Sequence, residues 1–286
     1  IAEQHIYDHP RCGLFLEMGL GKTVITLTAI YNLIYDRFDV AKVLVIAPLR
    51  VAEDTWSRES AKWDHLKDLK ISKILGTPTQ RRKALAAEAD IYVINRENVV
   101  WLCDELSQIG NGWDFDMVVI DELSSFKSPK SQRFRALRKY ITRSARVVGL
   151  TGTPAPNGLI DLWSQIYLLD GGERLGRTLT GYREKYFVPN QRNQTTIFNY
   201  KPKPEAEDAI YRKLSDICIS MQAKDWLELP ERIDTIQSVV LSPKEKTAYE
   251  KFEKEQYIQF LEGDVTAASA AALTNKLLQF CNGAMY

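Results

Sequence analysis

An apolar run, Leu14-Phe15-Leu16, leads into Glu17-Met18-Gly19-Leu20-Gly21-Lys22-Thr23 and then into the helical pattern Val24-Ile25-Thr26-Leu27-Thr28-Ala29-Ile30. No other stretch restricts the fold as tightly. A strand, a glycine turn and a helix in that order build a cradle for phosphate. Glycines let backbone N–H groups turn toward phosphate oxygens with no Cβ in the way. The helix N-terminus adds partial positive charge. Lys22 can reach β- and γ-phosphates, and the Thr23 hydroxyl can ligate Mg²⁺. Met18, Gly19, Leu20, Gly21, Lys22 and Thr23 are therefore the candidate nucleotide-binding residues. The full phosphate-loop pattern asks for glycine where Leu16 stands, six residues before Lys22. The alternative is a glycine-rich turn that only caps a helix.

Apolar runs alternate with helical patterns through the first half of the chain. The predicted strands are Gly13–Leu16, Lys42–Ala47, Lys70–Leu75, Ile91–Ile94, Met117–Ile120 and Arg146–Leu150. Several are unbroken, as expected when both faces of a parallel sheet are covered. Helices are predicted over Lys22–Tyr35, Val51–Trp63, Gln80–Ala87, Glu97–Gln108 and Gln132–Tyr140. This alternation argues for an α/β sheet with ligands at the carboxyl ends of its strands. After Asn157 the pattern changes. Helices are expected over Leu159–Leu169 and Glu205–Met221, and a late strand over Arg232–Leu241. Residues 1–157 read as the nucleotide-binding unit, 158–229 as a mostly helical insertion, 230–242 as a final strand of the sheet, and 243–286 as closing helices.

Val118-Val119-Ile120-Asp121-Glu122 is an apolar strand ending in two carboxylates. Beside a phosphate loop, such an Asp holds Mg²⁺, and the adjacent Glu, on the other side of the extended chain, can polarise the attacking water. A helix-capping carboxylate beside a solvated Glu is the alternative. In the next run, Val148-Gly149-Leu150-Thr151-Gly152-Thr153-Pro154, a strand ends in two hydroxyls around a glycine, and Pro154 blocks its continuation. Alone this is an ordinary turn. After the Asp-Glu pair, its hydroxyls fall near the γ-phosphate, as a motor needs in order to pass nucleotide state onward.

Composition removes other classes. The 4 cysteines form no close pair and the 3 histidines no ligand cluster, which argues against a zinc or redox motif. No apolar run approaches the ~20 residues of a membrane span, and no secretory signal is visible, so a cytoplasmic location is expected. Net charge is +1, so any attraction to nucleic acid must come from local patches. One candidate is Lys127–Arg146, rich in Lys and Arg and free of acidic residues. Another is Val188–Pro204, also acid-free, with Arg192, Lys201 and Lys203 beside Phe198 and Tyr200. A solvated helix and a polar surface hairpin are the alternatives.

In this order and wording, the three motifs resemble those of the superfamily 2 helicase-like ATPases, and among them the Swi/Snf-type DNA translocases. Ala47-Pro48 with Trp56 and Glu59, Lys127 after the carboxylates, Leu229-Pro230, and Leu273–Tyr286 resemble further family segments. Leu123-Ser124-Ser125 and Asp161-Leu162-Trp163 look most like the phage- and prophage-encoded branch. The resemblance implies a RecA-like phosphate-loop NTPase lobe, mostly parallel, with a helical insertion and C-terminal helices. It implies ATP and Mg²⁺ as cofactors, held by Gly19, Gly21, Lys22, Thr23 and Asp121. It makes Lys22, Asp121 and Glu122 the catalytic set, with Glu122 the general base, and it makes Thr151, Gly152 and Thr153 the coupling element. It places Pro48–Val51, including Arg50, and Asn95–Asn98, including Arg96, near a DNA backbone, with Lys127 and Lys130 further candidates. The expected partners are double-stranded DNA and a second RecA-like lobe C-terminal to this one. No membrane partner is expected. The family's adenine-reading Gln and its arginine fingers are not in these residues, so weak ATP binding and very slow hydrolysis are expected of the chain alone. A non-hydrolysing nucleotide switch or scaffold, and the motor subunit of a restriction system, are the alternatives.

Overall fold

The computed structural model describes residues 1–108, 112–192, 197–226, 234–235, 238, 240–262, 274–279 and 281–282. The chain divides into two compact units, Ile1–Leu229 and Pro230–Tyr286. The first is built on seven strands. These are β1 (Arg11–Leu16), β2 (Val43–Ala47), β3 (Ile71–Ile74), β4 (Ile91–Asn95), β5 (Met117–Asp121), β6 (Arg146–Thr151) and, after a hairpin of β7 (Phe187–Arg192) and β8 (Ile197–Pro202), β9 (Cys218–Met221). Their order across the sheet is β3-β4-β2-β5-β6-β1-β9, and every pairing in it is parallel. The helices are α1 (Ala2–Asp8), α2 (Lys22–Tyr35), α3 (Trp56–Lys62), α4 (Pro78–Leu85), α5 (Val99–Gln108), α6 (Gln132–Leu137), α7 (Leu162–Asp170), α8 (Leu179–Tyr186) and α9 (Ala206–Leu214). The second unit contains α10 (Pro243–Glu262). No helix among the described residues is long and apolar enough to cross a membrane.

The unbroken apolar runs follow from covering both faces. Side chains alternate across a strand, so each run feeds two cores. Val43, Val45, Ile91, Val93 and Val119 pack with Leu27, Ile30 and Leu33 of α2 and with Trp56 of α3. Leu44, Ile46, Ile94, Val118 and Ile120 pack on the other face with residues of α5, α6 and α7, among them Leu102, Phe134, Leu162 and Ile166. Each such fully buried side chain contributes about 1.5–3 kcal/mol, so a polar residue within these runs would be costly on either face. Five inner strands thereby end in register at one edge.

One predicted helix changes type at its end. The helix predicted over Glu205–Met221 stops at Leu214, and Cys218–Met221 becomes β9, pairing with β1 from Gly13↔Cys218 to Leu16↔Met221. The alternation explains the change: Ile219 and Met221 pack toward one core and Cys218 toward the other. Four residues are too few for that period to stand out against the preceding helical pattern. The polar stretch after Tyr186 forms the antiparallel β7-β8 hairpin. Of the predicted strand Arg232–Leu241, residues 234–235, 238 and 240–241 are described and none of them is in a strand; the Leu229-Pro230 match and much of Val265–Tyr286 lie outside the described residues, as do the side chains of Arg192 and Phe198.

Candidate active site

The phosphate-loop sequence leaves β1 and enters α2 directly. Leu16, where the full pattern asks for glycine, is the last residue of β1 and is fully buried. Its departure is therefore absorbed by the strand, ahead of the turn. The turn itself needs its glycines: Gly19 and Gly21 hold φ of 88° and 70°. Gly21 caps α2 with no side-chain hydrogen bond, which leaves the first-turn N–H groups for a ligand. Lys22 Nζ donates to the carbonyls of Leu16 at 2.6 Å and Glu17 at 3.1 Å. Glu17 in turn ties the loop to the segment after β9, accepting from Ala223 N at 2.7 Å.

Asp121 ends β5, and Glu122 follows in the left-handed region at φ 60°. This is an uncommon conformation for a residue with a side chain. It separates the directions of the two carboxylates. Asp121 Oδ2 accepts from Trp56 Nε1 at 3.0 Å. Glu122 Oε1 accepts from Thr151 Oγ1 at 2.8 Å and also from Ser124 Oγ. Burial pushes the Asp121 carboxyl up, against the pull of Trp56 and Lys22, and burial lowers the Lys22 ammonium although Asp121 and Glu122 favour its charge. Desolvation outweighs mutual attraction on both partners, as expected of groups held apart in a cleft.

The strand order puts β6 between β1 and β5, so the Thr151-Gly152-Thr153 turn lies between the cradle and the carboxylates. A Cβ on Gly152 would stand 3.3 Å from the Leu16 carbonyl oxygen, a tight approach, and 3.9 Å from Lys22 Nζ, an ordinary contact, so a side chain here would push the turn and the loop apart by a few tenths of an ångström. Thr153 N donates to Thr151 Oγ1 at 3.1 Å, which aims that hydroxyl at Glu122. One cleft of about 620 Å³ contains Met18, Gly19, Gly21, Lys22, Thr23, Asp121, Glu122, Gly152 and Thr153 in its lining. Leu20 is not part of that lining and packs against the core instead.

The candidate nucleic-acid residues separate. Arg96 and Lys127 line a smaller pocket beside Glu122. Asn95 is buried, its amide held by Glu97 Oε2 at 3.1 Å and by Asn98 Nδ2 at 2.5 Å, so it shapes the turn after β4. Arg50 and Lys130 are exposed. Val24 and, from the segment after β2, Val51, Thr55, Glu59, Lys62 and Trp63 complete the cleft wall, a lining that no sequence motif names. The signal for that segment was the spacing of three to four residues, which puts one helical stripe on the cleft.

The residues fit a nucleotide with Mg²⁺. Glycines with positive φ, an uncapped helix start, a cleft lysine and a strand-end carboxylate converge on one volume. No cluster of three or more His, Cys, Asp or Glu able to hold a metal occurs among the described residues. Mg²⁺ needs only one or two protein ligands beside substrate phosphates, and Thr23 and Asp121 both line the cleft.

Comparison with known proteins agrees with this architecture. Protein p41 of Acyrthosiphon pisum secondary endosymbiont phage 1 is 39% identical over 288 residues, covering 99% of this chain and 62% of that protein. The DNA repair and recombination protein RAD54-like of Gallus gallus is 24% identical over 303 residues, covering 99% of this chain and 40% of that one. The chain thus spans about half the length of these relatives. The Sulfolobus solfataricus SWI2/SNF2 ATPase core, solved in complex with dsDNA, shares the fold with a TM-score of 0.60 at 21% identity, covering 97% of this chain and 55% of that one. The SNF2-related domain matches residues 5–283, nearly the whole length, and the chain belongs to that family.

Proposed function

We propose that the protein is the ATP-binding first lobe of a DNA translocase and hydrolyses ATP when paired with a second lobe and DNA. The observation that carries this reading is the single cleft shared by the cradle, Asp121-Glu122 and the Thr151-Gly152-Thr153 turn. Lys22, now on the Leu16 and Glu17 carbonyls, turns to the β- and γ-phosphates, and the α2 N-terminus supplies backbone donors. Thr23 and Asp121 would hold Mg²⁺, which would supply charge neutralisation at the phosphates. Glu122 orients the attacking water and takes its proton. Both of its donors land on Oε1, so Oε2 is the oxygen that receives the proton. Thr151 and Thr153 couple that carboxylate to the rest of the protein.

DNA is the proposed partner, double-stranded as in the Sulfolobus complex. Arg50, Arg96, Lys127 and Lys130 are its proposed contacts, following the carboxyl ends of β2 and β4 and the segment after β5. The length of the relatives beyond the matched region leaves room for a second RecA-like lobe.

The test is ATP turnover by the full-length protein with and without duplex DNA, in wild type, Lys22→Ala and Glu122→Gln. Each variant should lose about 10²-fold or more. Turnover unchanged in both would overturn the mechanism.

A further inference from the structure

Glu122 and Thr153 line the nucleotide cleft, and they also line a separate pocket of about 380 Å³. Its other walls are Arg96, Ser124, Ser125, Lys127, Arg133 and Pro156. Three cations face one carboxylate, and that carboxylate already accepts from Thr151 and Ser124. Arg96 is held through Nε by Glu97 Oε1 at 2.9 Å, which fixes its guanidinium while leaving its other N–H groups to donate. Phe126 lies under the Arg133 guanidinium at 5.7 Å and supports it. Arg133 Nε and Ser125 Oγ are buried with no hydrogen-bond partner. Buried polar atoms are seldom left so. Two unpartnered donors beside two further cations make a site for an oxyanion, and arginine forks with hydroxyls match phosphate oxygens in particular.

We propose that this pocket binds one phosphate group, with Arg133 of the basic Lys127–Arg146 stretch as a ligand, and that its occupancy acts on hydrolysis through the wall shared with the cleft. The coupling half of the proposal rests on the ATPase reading above. Ser124 lines the pocket and donates to Glu122 Oε1. A phosphate that draws the Ser124 hydroxyl to itself removes one of the two donors from the carboxylate. Two sources offer such a group: the backbone of bound DNA, and inorganic phosphate released from the adjacent cleft.

The experiment uses the full-length protein carrying Arg133→Gln or Lys127→Gln, with exposed Lys83→Gln as the charge control. Calorimetry with duplex DNA and with inorganic phosphate is done in a Lys22→Ala background, so that the cradle does not compete. If the source is DNA, duplex affinity falls about tenfold and the slope of log affinity against log salt drops by about 1. If the source is free phosphate, affinity for inorganic phosphate falls about tenfold, the loss of one charge-assisted contact, while duplex affinity holds. Neither change in either variant, with melting curves matching Lys83→Gln, overturns the pocket. Coupling is read in otherwise wild-type protein as the ratio of ligand-stimulated or ligand-inhibited turnover to free turnover. A ratio that stays fixed while binding falls overturns the coupling alone. Turnover insensitive to Lys22→Ala would instead sink the ATPase reading and leave the calorimetric result standing.

Discussion

Trp56→Phe deletes a hydrogen bond and leaves most of a buried ring in place. Trp56 is fully buried on the α3 side of the sheet, and its Nε1 donates to Asp121 Oδ2 at 3.0 Å. Burial is the main influence on the Asp121 carboxyl and raises it. Trp56 is the leading influence in the opposite direction, ahead of Lys22. A hydrogen bond to a charged group contributes about 1.5–3 kcal/mol. Its loss raises the carboxyl further, because the ionised form loses the donor that favours it. The sign follows from proton competition. Mg²⁺ needs the ionised carboxylate, so Mg²⁺-dependent nucleotide binding weakens as pH falls through the raised native pKa. In Trp56→Phe that weakening should begin at higher pH than in wild type. Below the new pKa the apparent Mg²⁺ affinity should be about 10- to 100-fold lower than in wild type, and the gap should close as pH rises. The same linkage makes the fold gain stability as Asp121 protonates, because its native pKa lies above the unfolded value. The assay is binding of a fluorescent ATP analogue at a series of Mg²⁺ concentrations and pH values, with a melting curve to record the packing cost of the smaller ring. A lowered melting temperature with an unshifted Mg²⁺–pH profile would reduce Trp56 to a packing residue and refute the reasoning.

Thr151→Val keeps the shape of the β6 end and removes the 2.8 Å bond to Glu122 Oε1, so kcat should fall about tenfold with ATP affinity nearly unchanged, as steady-state turnover and equilibrium binding will report. Gly152→Ala puts a Cβ 3.3 Å from the Leu16 carbonyl oxygen and 3.9 Å from Lys22 Nζ, so turnover and nucleotide affinity should both drop while the circular dichroism spectrum stays that of wild type. Arg174→Ala breaks a bidentate pair with Asp216, at 2.9 and 2.7 Å, that joins the end of α7 to the turn before β9. The Asp216 carboxylate is largely exposed, but Arg174 also pairs at 3.4 Å with the Asp170 carboxylate, which is 1% exposed, so the loss in urea denaturation should exceed the ~1 kcal/mol of an exposed pair. The Asp216 carboxyl is lowered chiefly by Arg174, so this contribution is present at neutral pH and fades as pH falls through that lowered pKa.

What could be read from the sequence was whatever local pattern controls. The inner strands announced themselves because both faces are dry, and the cradle because positive φ and an uncapped helix start demand glycine beside Lys22. What could not be read was set by neighbours distant in the chain. Trp56 stands in a segment matched only by its family resemblance; it is a core residue whose indole also reaches a carboxylate 65 residues away. Asn95 sat in a segment matched to DNA contact, but its amide closes the turn after β4, a bond pattern no spacing rule encodes. β9 was hidden because four residues of alternation carry little signal until β1 offers an open edge. Strand order made the largest difference. Thr151-Gly152-Thr153 follows Asp121 by some 30 residues and reads alone as an ordinary turn. With β6 inserted between β1 and β5, that turn becomes the wedge between Lys22 and Glu122. The glycine within it then has a specific cause: it is where the backbone of one motif rests on the backbone of another. A displacement of either motif must therefore be felt at Glu122 through the Thr151 hydroxyl.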